Sequence, residues 1–587
     1  MTAVELPSVA PEVTAALVED LSPRLRKRLD AAVAKLAARP VRRDGDTVTI
    51  AVDDETELRL HAPGGVVATA DAIRCGCLLA PACVHRAAAA CAAPTADPAP
   101  EPATAPEPTP YTDNLPDAPA ETASPAERTA AGALWSAGAA VLEAGVDGAG
   151  AVAQAALLRA AHTARLRSLP RAAGAAVSVV ALLRAARAGD PSYRTADLVT
   201  ALAELLGTAH RVGTATGPEL AAVKGRARRP YTPDGSLRLY GLFTEPVVTD
   251  SGHGGARTWV AGPDGRLFTA GDVAPGGAGR AVGVADRAVR LGDSALTHRE
   301  LGRAGLAVSG ATVSPDGRLG AGKGVKAVSA KGVAWTEPPL AALWEPPPSQ
   351  QVARALGSAS PDTDPFGGGD DLLFLDVELL GAVKESGGIC LLARCDGGIA
   401  VRLTVADDDP ALAHRDNLML LATAPGTRLR IIGRLVPALH PRLTLLACSH
   451  PTGEGTIDLG FDRLGRADLP APGAAPPPVP YEPGGFGDHS PLHLLARRVD
   501  QTVPAGRAAL GILGDVSAES HRLRRAGLPT AADLLTALRA SAGRRARDPF
   551  GRLLPADTDG FATHWLAAAR YVSAVSDALC VAAWEPR

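Results

Sequence analysis

Four residues between positions 75 and 85 carry side chains that bind soft and borderline metal ions: Cys75, Cys77, Cys83 and His85. They follow the pattern C-x-C-x5-C-x-H, in a chain of 587 residues that contains only eight cysteines. Thiolates and imidazole together suit tetrahedral zinc. Because four protein ligands leave no open coordination position, the pattern predicts one structural Zn²⁺ rather than a catalytic metal.

The flanking residues predict a small ββα frame that would position these ligands. The alternating runs "TVTIAV" and "TELRLH" are typical of a β-hairpin, and "VHRAAAACAA" is typical of a helix. Positions i and i+2 of a strand face the same way, so we expect Cys75 and Cys77 to point at one site. Pro81 favours a turn before the helix, which would place Cys83 and His85 in its first turn, where the helix dipole stabilises a thiolate.

Together these features resemble the SWIM zinc finger, a module defined by C-x-C, a variable spacer and C-x-H on a ββα frame. The resemblance covers Thr47 to Cys91 and includes all four metal positions, with a spacer at the short end of the family's range. The chain resembles the stand-alone bacterial, actinobacterial-like type. This resemblance implies binding to DNA or to proteins, and a partner such as an ATPase or a von Willebrand A-type protein.

The bulk properties restrict where the protein could act. The net charge is −3 and the pI is near 6.5, so the whole chain is not a basic nucleic-acid-binding protein. The N-terminus has no apolar signal segment, and the apolar stretch Ala172 to Leu183 is too short to span a bilayer. We therefore expect a cytoplasmic protein with reduced cysteines and no membrane association.

Three Pro-rich stretches divide the chain, which predicts a multidomain α+β protein. The element order β-β-β-α-β-β in residues 372–450 resembles an OB-fold, a small five-stranded barrel. The predicted divisions are a helix plus zinc finger (10–92), a Pro-rich linker (93–127), a helical domain (128–212), a β-rich subdomain (230–345), a linker (346–371), an OB-like barrel (372–450), a Pro-rich linker (469–491) and a C-terminal helical region (492–587).

A basic run lies just before the predicted zinc finger, and it could contact phosphate groups. In "LRKRLDAAVAKLAAR" we expect a single helix, whose basic residues could equally form a solvated surface. The candidate nucleic-acid-binding residues are Arg24, Arg26, Lys27, Arg28, Arg42 and Arg43.

The sequence favours a non-enzymatic adaptor that uses the zinc finger to bind protein partners, DNA, or both. One alternative is a protein that recognises specific DNA. The other is an enzyme in residues 230–450, although no convincing nucleophile–base set is present. The OB-like region contains one aromatic residue, Phe374, which favours protein contact there because single-strand sites stack bases on aromatic rings.

Overall fold

The computed structural model defines most of the chain outside the Pro-rich segments. Residues 97–120, 358–367 and 472–489, which hold much of the three predicted linkers, lie outside the described part. The described residues are 6–53, 56–96, 121–225, 231–249, 252–320, 322, 324–357, 368–385, 388–471, 490–512, 514–544, 548–552 and 554–586.

The chain forms two compact units, each of which is discontinuous in sequence. The first comprises Met1–Ala227 and Pro491–Val572, and the second comprises Arg228–Ser490 and Ser573–Arg587. Within the described residues there are 17 α-helices and several β-sheets, so the mixed α+β, multidomain prediction is confirmed at that level.

The first unit begins with what we call the N-terminal module, residues 6–96. Its sheet has the antiparallel order β2-β3-β4-β6, and the short strands β1 and β5 pair in parallel. The inward-facing side chains of the sheet pack against three helices, α1, α3 and α4, in one apolar core. The elements are β1 (Ser8–Val9), α1 (Pro11–Glu19), α2 (Pro23–Arg26), α3 (Leu29–Ala37), β2 (Val41–Asp44), β3 (Thr47–Ala51), β4 (Glu57–His61), β5 (Val66–Val67), β6 (Ile73–Cys75) and α4 (Val84–Ala92).

The predicted hairpin is confirmed, because β3 and β4 pair antiparallel from Thr47 opposite His61 to Ala51 opposite Glu57. The predicted single helix over "LRKRLDAAVAKLAAR" is wrong, since the chain forms α2 and α3 with a break at Lys27 and Arg28. The two helices turn at this point so that Leu29 and Leu36 are buried in the module core.

An Ala-rich helical bundle follows in the first unit. Its helices are α5 (Pro125–Gly148), α6 (Ala151–Leu166), α7 (Pro170–Ala188), α8 (Thr195–Val212) and α9 (Gly217–Lys224). A Ser124 capping box starts α5, where the Ser124 hydroxyl accepts from the Glu127 N–H and the Glu127 carboxylate accepts from the Ser124 N–H. The small alanine side chains let neighbouring helices approach closely around leucine and valine residues of the core.

The second unit begins with a five-stranded antiparallel sheet of order β11-β10-β7-β8-β9. Its core contains Leu239, Val260 and Phe268. The elements are β7 (Thr232–Val248), β8 (His253–Ala261), β9 (Leu267–Pro275), α10 (Gly277–Ala285), α11 (His298–Leu301), β10 (Gly305–Val313) and β11 (Lys326–Ala330).

Six further strands of the second unit form a sheet of order β14-β13-β12-β15-β16-β17. Strand β14 also pairs in parallel with β16, so the pairings β14-β13-β12-β15-β16 return to β14. The predicted element order β-β-β-α-β-β is present here. The elements are α12 (Pro348–Gly357), β12 (Leu372–Glu385), β13 (Gly388–Cys395), β14 (Ala400–Thr404), α13 (His414–Leu421), β15 (Arg428–Leu435), β16 (Arg442–Ser449) and β17 (Thr456–Asp458).

One carboxylate balances the positive charge of two arginines where β14 pairs with β16. Arg402 and Arg442 lie directly opposite each other in this pairing, and the Glu385 carboxylate accepts hydrogen bonds from both. Burial alone would raise the pKa of Glu385, but the two guanidinium groups outweigh it and hold that pKa below its usual value. Glu385 therefore relieves the repulsion between two like charges in adjacent strands.

Four C-terminal helices follow, and α14, α15 and α16 belong to the bundle of the first unit. Helices α5 and α14 cross at two glycines with positive φ, since a Cβ added to Gly145 would lie 2.4 Å from the Gly506 nitrogen. The helices are α14 (His493–Ile512), α15 (Ser517–Arg525), α16 (Pro529–Gly543) and α17 (Thr558–Ala583).

Helix α17 is a longer apolar element than the Ala172 to Leu183 stretch. Among the described residues it is the one helix that could cross a membrane by length and composition, with 26 residues and a window of mean hydropathy 1.4. Its first half contributes Phe561 and Trp565 to the bundle core of the first unit, and 17% of the apolar window is buried.

Candidate metal centre

The four predicted metal ligands meet at one end of the N-terminal module. Cys75 ends β6, Cys77 lies two residues beyond the strand, Cys83 caps the N-terminus of α4, and His85 lies in the first turn of that helix. One ligand atom from each residue lies within 4.8 Å of those of the other three. The Cys75 Sγ and the His85 Nδ1 are 3.7 Å apart.

These distances fit a tetrahedral metal ion. A Zn–S bond of about 2.3 Å places the ligand atoms of a tetrahedron about 3.8 Å from one another. The Cys₃His donor set is also one that zinc prefers. The cluster can therefore hold a metal ion and is compatible with zinc. With four protein donors, such an ion would be structural.

We expected Cys75 and Cys77 to converge because both would lie in one strand and face the same way. This holds for only one of the two residues. Cys75 is in a strand, but Cys77 lies in a turn in which the Ala80 N–H donates to the Cys77 carbonyl at 3.1 Å. The turn, rather than strand alternation, therefore brings the second thiol back to the site. The expected position of Cys83 and His85 at the start of a helix is confirmed.

The pKa values of the three thiols are pulled in different directions by their surroundings. Burial raises the pKa of Cys75 to about 12, and it also raises the pKa of Cys83. At Cys77, burial acts upwards, but hydrogen bonds from backbone N–H groups and the neighbouring thiols outweigh it, so the pKa is lowered. Three clustered thiols cannot all ionise without a cation, which is the role that a bound dication would have here.

A buried arginine that was not predicted from the sequence connects the segments of the site by hydrogen bonds. Arg86 follows His85 in α4 and is only 6% exposed. It donates to the carbonyl oxygens of Ile73 at 2.5 Å and Pro81 at 2.6 Å, and also to that of Ala70. Ile73 and Pro81 lie two residues before Cys75 and Cys83, so Arg86 fixes the backbone that carries both ligands. The sequence feature that could have pointed to Arg86 is its position as a lone arginine within an alanine-rich helix.

The loop between Cys77 and Cys83 exposes two adjacent leucines. Leu78 is 104% exposed and Leu79 is 62% exposed. The candidate ligands Cys77 and Cys83 flank the loop, so a bound metal ion would hold both of its ends and limit the movement of the two leucines. The two adjacent leucines form a small exposed apolar surface beside the candidate metal centre.

The candidate nucleic-acid-binding residues lie on two different parts of the module. Arg24 and Arg26 are in α2, and Lys27 and Arg28 follow it. The Arg26 Nη2 donates to the Glu19 carbonyl at 2.5 Å, which ties that side chain to the end of α1. Arg42 and Arg43 are in β2 and point to opposite faces of the sheet, because neighbouring strand residues alternate.

Strand pairing instead collects a different set of arginines on the solvent-facing side of the sheet. Arg42 is opposite Thr49, Thr49 is opposite Arg59, and Arg59 is opposite Arg74. We call Arg42, Arg59 and Arg74 the sheet arginines. Arg59 and Arg74 were not among the predicted residues, since only the strand register brings them beside Arg42.

The chain matches no protein-family model, no curated protein and no solved structure. The class that its fold and site define is a mixed α+β protein with a candidate Cys₃His metal centre in its N-terminal module.

Proposed function

We propose that Thr47 to Cys91 form a SWIM-type zinc finger in a cytoplasmic, non-enzymatic adaptor that binds protein partners. The observation that carries this proposal is the convergence of four Cys and His ligand atoms within 4.8 Å on a hairpin-plus-helix frame. A structural metal gives a small module a rigid surface, which lowers the entropy lost on binding. The circular strand pairing around β12 to β16 supports an OB-like barrel as a second part of this adaptor.

Leu78 and Leu79 are the proposed protein contact. Burying a leucine side chain contributes about 1.5–3 kcal/mol, so two leucines held on a fixed loop can anchor a partner that offers an apolar pocket. By the family resemblance, the partner is an ATPase or a von Willebrand A-type protein.

The double substitution Leu78→Ser and Leu79→Ser should therefore abolish capture of this partner. We expect the tagged wild-type chain to co-purify an ATPase or a von Willebrand A-type protein after nuclease treatment, and the double variant to recover at least about 100-fold less of it. The leucines lie in solvent, so zinc content and melting temperature should not change.

Val328→Ser is the matched control, because Val328 is as exposed as Leu79, at 62%, but lies in β11 of the second unit. Equal recovery by the wild-type chain and the leucine double variant would reject the proposed contact. Recovery that disappears on nuclease treatment would favour the second candidate function below.

DNA binding is the second candidate function, and the sheet arginines are the observation that favours it. Adjacent strands are about 4.8 Å apart, so the three sheet arginines lie on one face of the sheet. The spacing of their guanidinium groups is on the scale of that between neighbouring phosphates of DNA. Glu57 pairs with Arg42 at 3.4 Å and with Arg59 at 2.9 Å. These pairs are exposed and therefore weak, so phosphate can compete with them.

If the sheet arginines bind duplex DNA, Arg59→Gln together with Arg74→Gln should weaken binding more than Arg24→Gln together with Arg28→Gln. We expect the slope of log affinity against log salt to fall by about 1.8 for the loss of two phosphate contacts. Fluorescence anisotropy with a labelled duplex over a salt series measures this slope. A larger loss with the Arg24 and Arg28 pair would assign binding to the basic run, and salt-independent wild-type binding would reject both surfaces.

A further inference from the structure

The second unit contains a cavity of about 1110 Å³, to which the proposed adaptor function assigns no role. One wall is the outward face of β12, β13 and β15. The lining also includes the segment Gly332–Glu337, which follows β11. Eight charged residues from strands and loops line it, so the cavity is polar and suits a charged ligand better than an apolar one.

Three charged residues lie side by side on the strand wall. The strand register places Glu378 of β12 directly opposite Arg394 of β13 on one side and Arg428 of β15 on the other. Their chain neighbours Val377, Leu379 and Leu429 are buried in the core, so alternation turns the charged side chains towards the cavity. We call Arg394, Glu378 and Arg428 the charge triad.

The other charged groups of this wall already have partners. On the next level of the sheet, Arg430 pairs with Asp376 at 3.1 Å, donates to the Trp335 carbonyl and lies 5.2 Å from the centre of the Trp344 ring. Arg430 therefore connects the strand wall with the segment Gly332–Glu337 and is not available to a ligand.

The side chains of the charge triad differ from Arg430 in this respect. Within the described part of the chain, none of its three side chains forms an ion pair or a hydrogen bond. Glu378 and Arg394 are half-buried and Arg428 is exposed. The triad therefore presents a row of positive, negative and positive groups to the cavity, all able to pair with a ligand.

We propose that this cavity binds a dicarboxylic amino acid. The row of charges is complementary to a ligand in which two carboxylates flank one ammonium group, which is the charge pattern of glutamate and aspartate. Each guanidinium can hold a carboxylate through two parallel hydrogen bonds, and the Glu378 carboxylate accepts from the ammonium group. Neighbouring strands are about 4.8 Å apart, so the two arginines approach the ligand from either side of Glu378.

Titration calorimetry of the full chain with three probes tests each part of this recognition. L-Glutamate should bind, whereas glutarate, which lacks the ammonium group, and L-glutamine, which lacks one carboxylate, should bind at least about tenfold more weakly. Arg394→Gln and Arg428→Gln should each weaken glutamate binding by about tenfold or more. Glu378→Gln should remove the preference for glutamate over glutarate.

Arg463→Gln is the matched control, because Arg463 is an exposed arginine of the second unit that pairs with Asp416 and is not part of the cavity wall. Its glutamate affinity should equal that of the wild-type chain, and thermal melting should show all four variants folded. The proposal is overturned if the wild-type chain releases no binding heat with L-glutamate up to about 10 mM, or if it binds glutarate as tightly as glutamate.

Discussion

Replacing Cys77 with serine should remove the zinc ion and unfold the metal-binding end of the N-terminal module. All four ligand atoms come from one short stretch, and without the metal its three thiols would have to stay largely protonated or repel one another. In zinc-finger peptides a structural zinc contributes about 10–16 kcal/mol of apparent binding energy, which is also folding energy. The apolar core of the module compensates for part of this loss, so we expect a partly ordered sheet beside an unfolded metal-binding loop.

Metal analysis of the purified chain should show about one zinc per wild-type molecule and almost none in the Cys77→Ser variant. Hydrogen exchange should show the lost protection within residues 70–90 and not in the second unit. Cys91→Ala is the matched control, because Cys91 is a buried thiol of α4 in the same module but outside the ligand cluster. A Cys77→Ser variant that keeps full zinc and full protection would rule out the metal site.

The ligand set could be predicted from the sequence because its geometry is almost entirely local. Cys75, Cys77, Cys83 and His85 lie within eleven residues, and a strand end, a turn and a helix start bring them together without distant segments. The positions of the ligands at the end of β6 and the start of α4 follow from the same local signals. The sequence could not show that a turn, rather than strand alternation, positions Cys77.

Features that depend on strand register or on distant partners could not be predicted. The sheet arginines come from three separate strands, and only their pairing shows that Arg42 lies in a row with Arg59 and Arg74. A bulge in β12 between Leu379 and Gly381 likewise shifts the register of β13. A one-residue slip reverses which side chains face the cavity, so sequence alone cannot define the charge triad.

The break between α2 and α3 could not be predicted for a different reason. The spacing of Leu25, Leu29, Val33 and Leu36 is helical throughout, so periodicity favoured one helix. The structure interrupts it at Lys27 and Arg28, where no proline or glycine marks a break. Packing of the two segments in the module core overrides local propensity at this point.

Replacing Arg86 with methionine should weaken zinc binding although Arg86 is not a ligand. Methionine retains the length of the side chain but donates no hydrogen bond, so three carbonyl oxygens around the site lose their partner. We expect the module to lose about 3 kcal/mol or more of unfolding free energy. Zinc affinity should fall about 10–100-fold, as it does when groups that orient metal ligands are removed.

Competition for zinc with a chromogenic chelator measures this affinity, and denaturant unfolding measures the stability of the same samples. Arg86→Lys should recover only part of both, because an ammonium group cannot reach three separated carbonyls as a planar guanidinium does. Arg74→Met is the control, since Arg74 is an exposed arginine beside Cys75 with one long hydrogen bond, 3.4 Å to the Asp71 carbonyl. If Arg86→Met and Arg74→Met hold zinc equally tightly, the carbonyl contacts of Arg86 do not position the ligands, and the turn and helix start must hold Cys75 and Cys83 unaided.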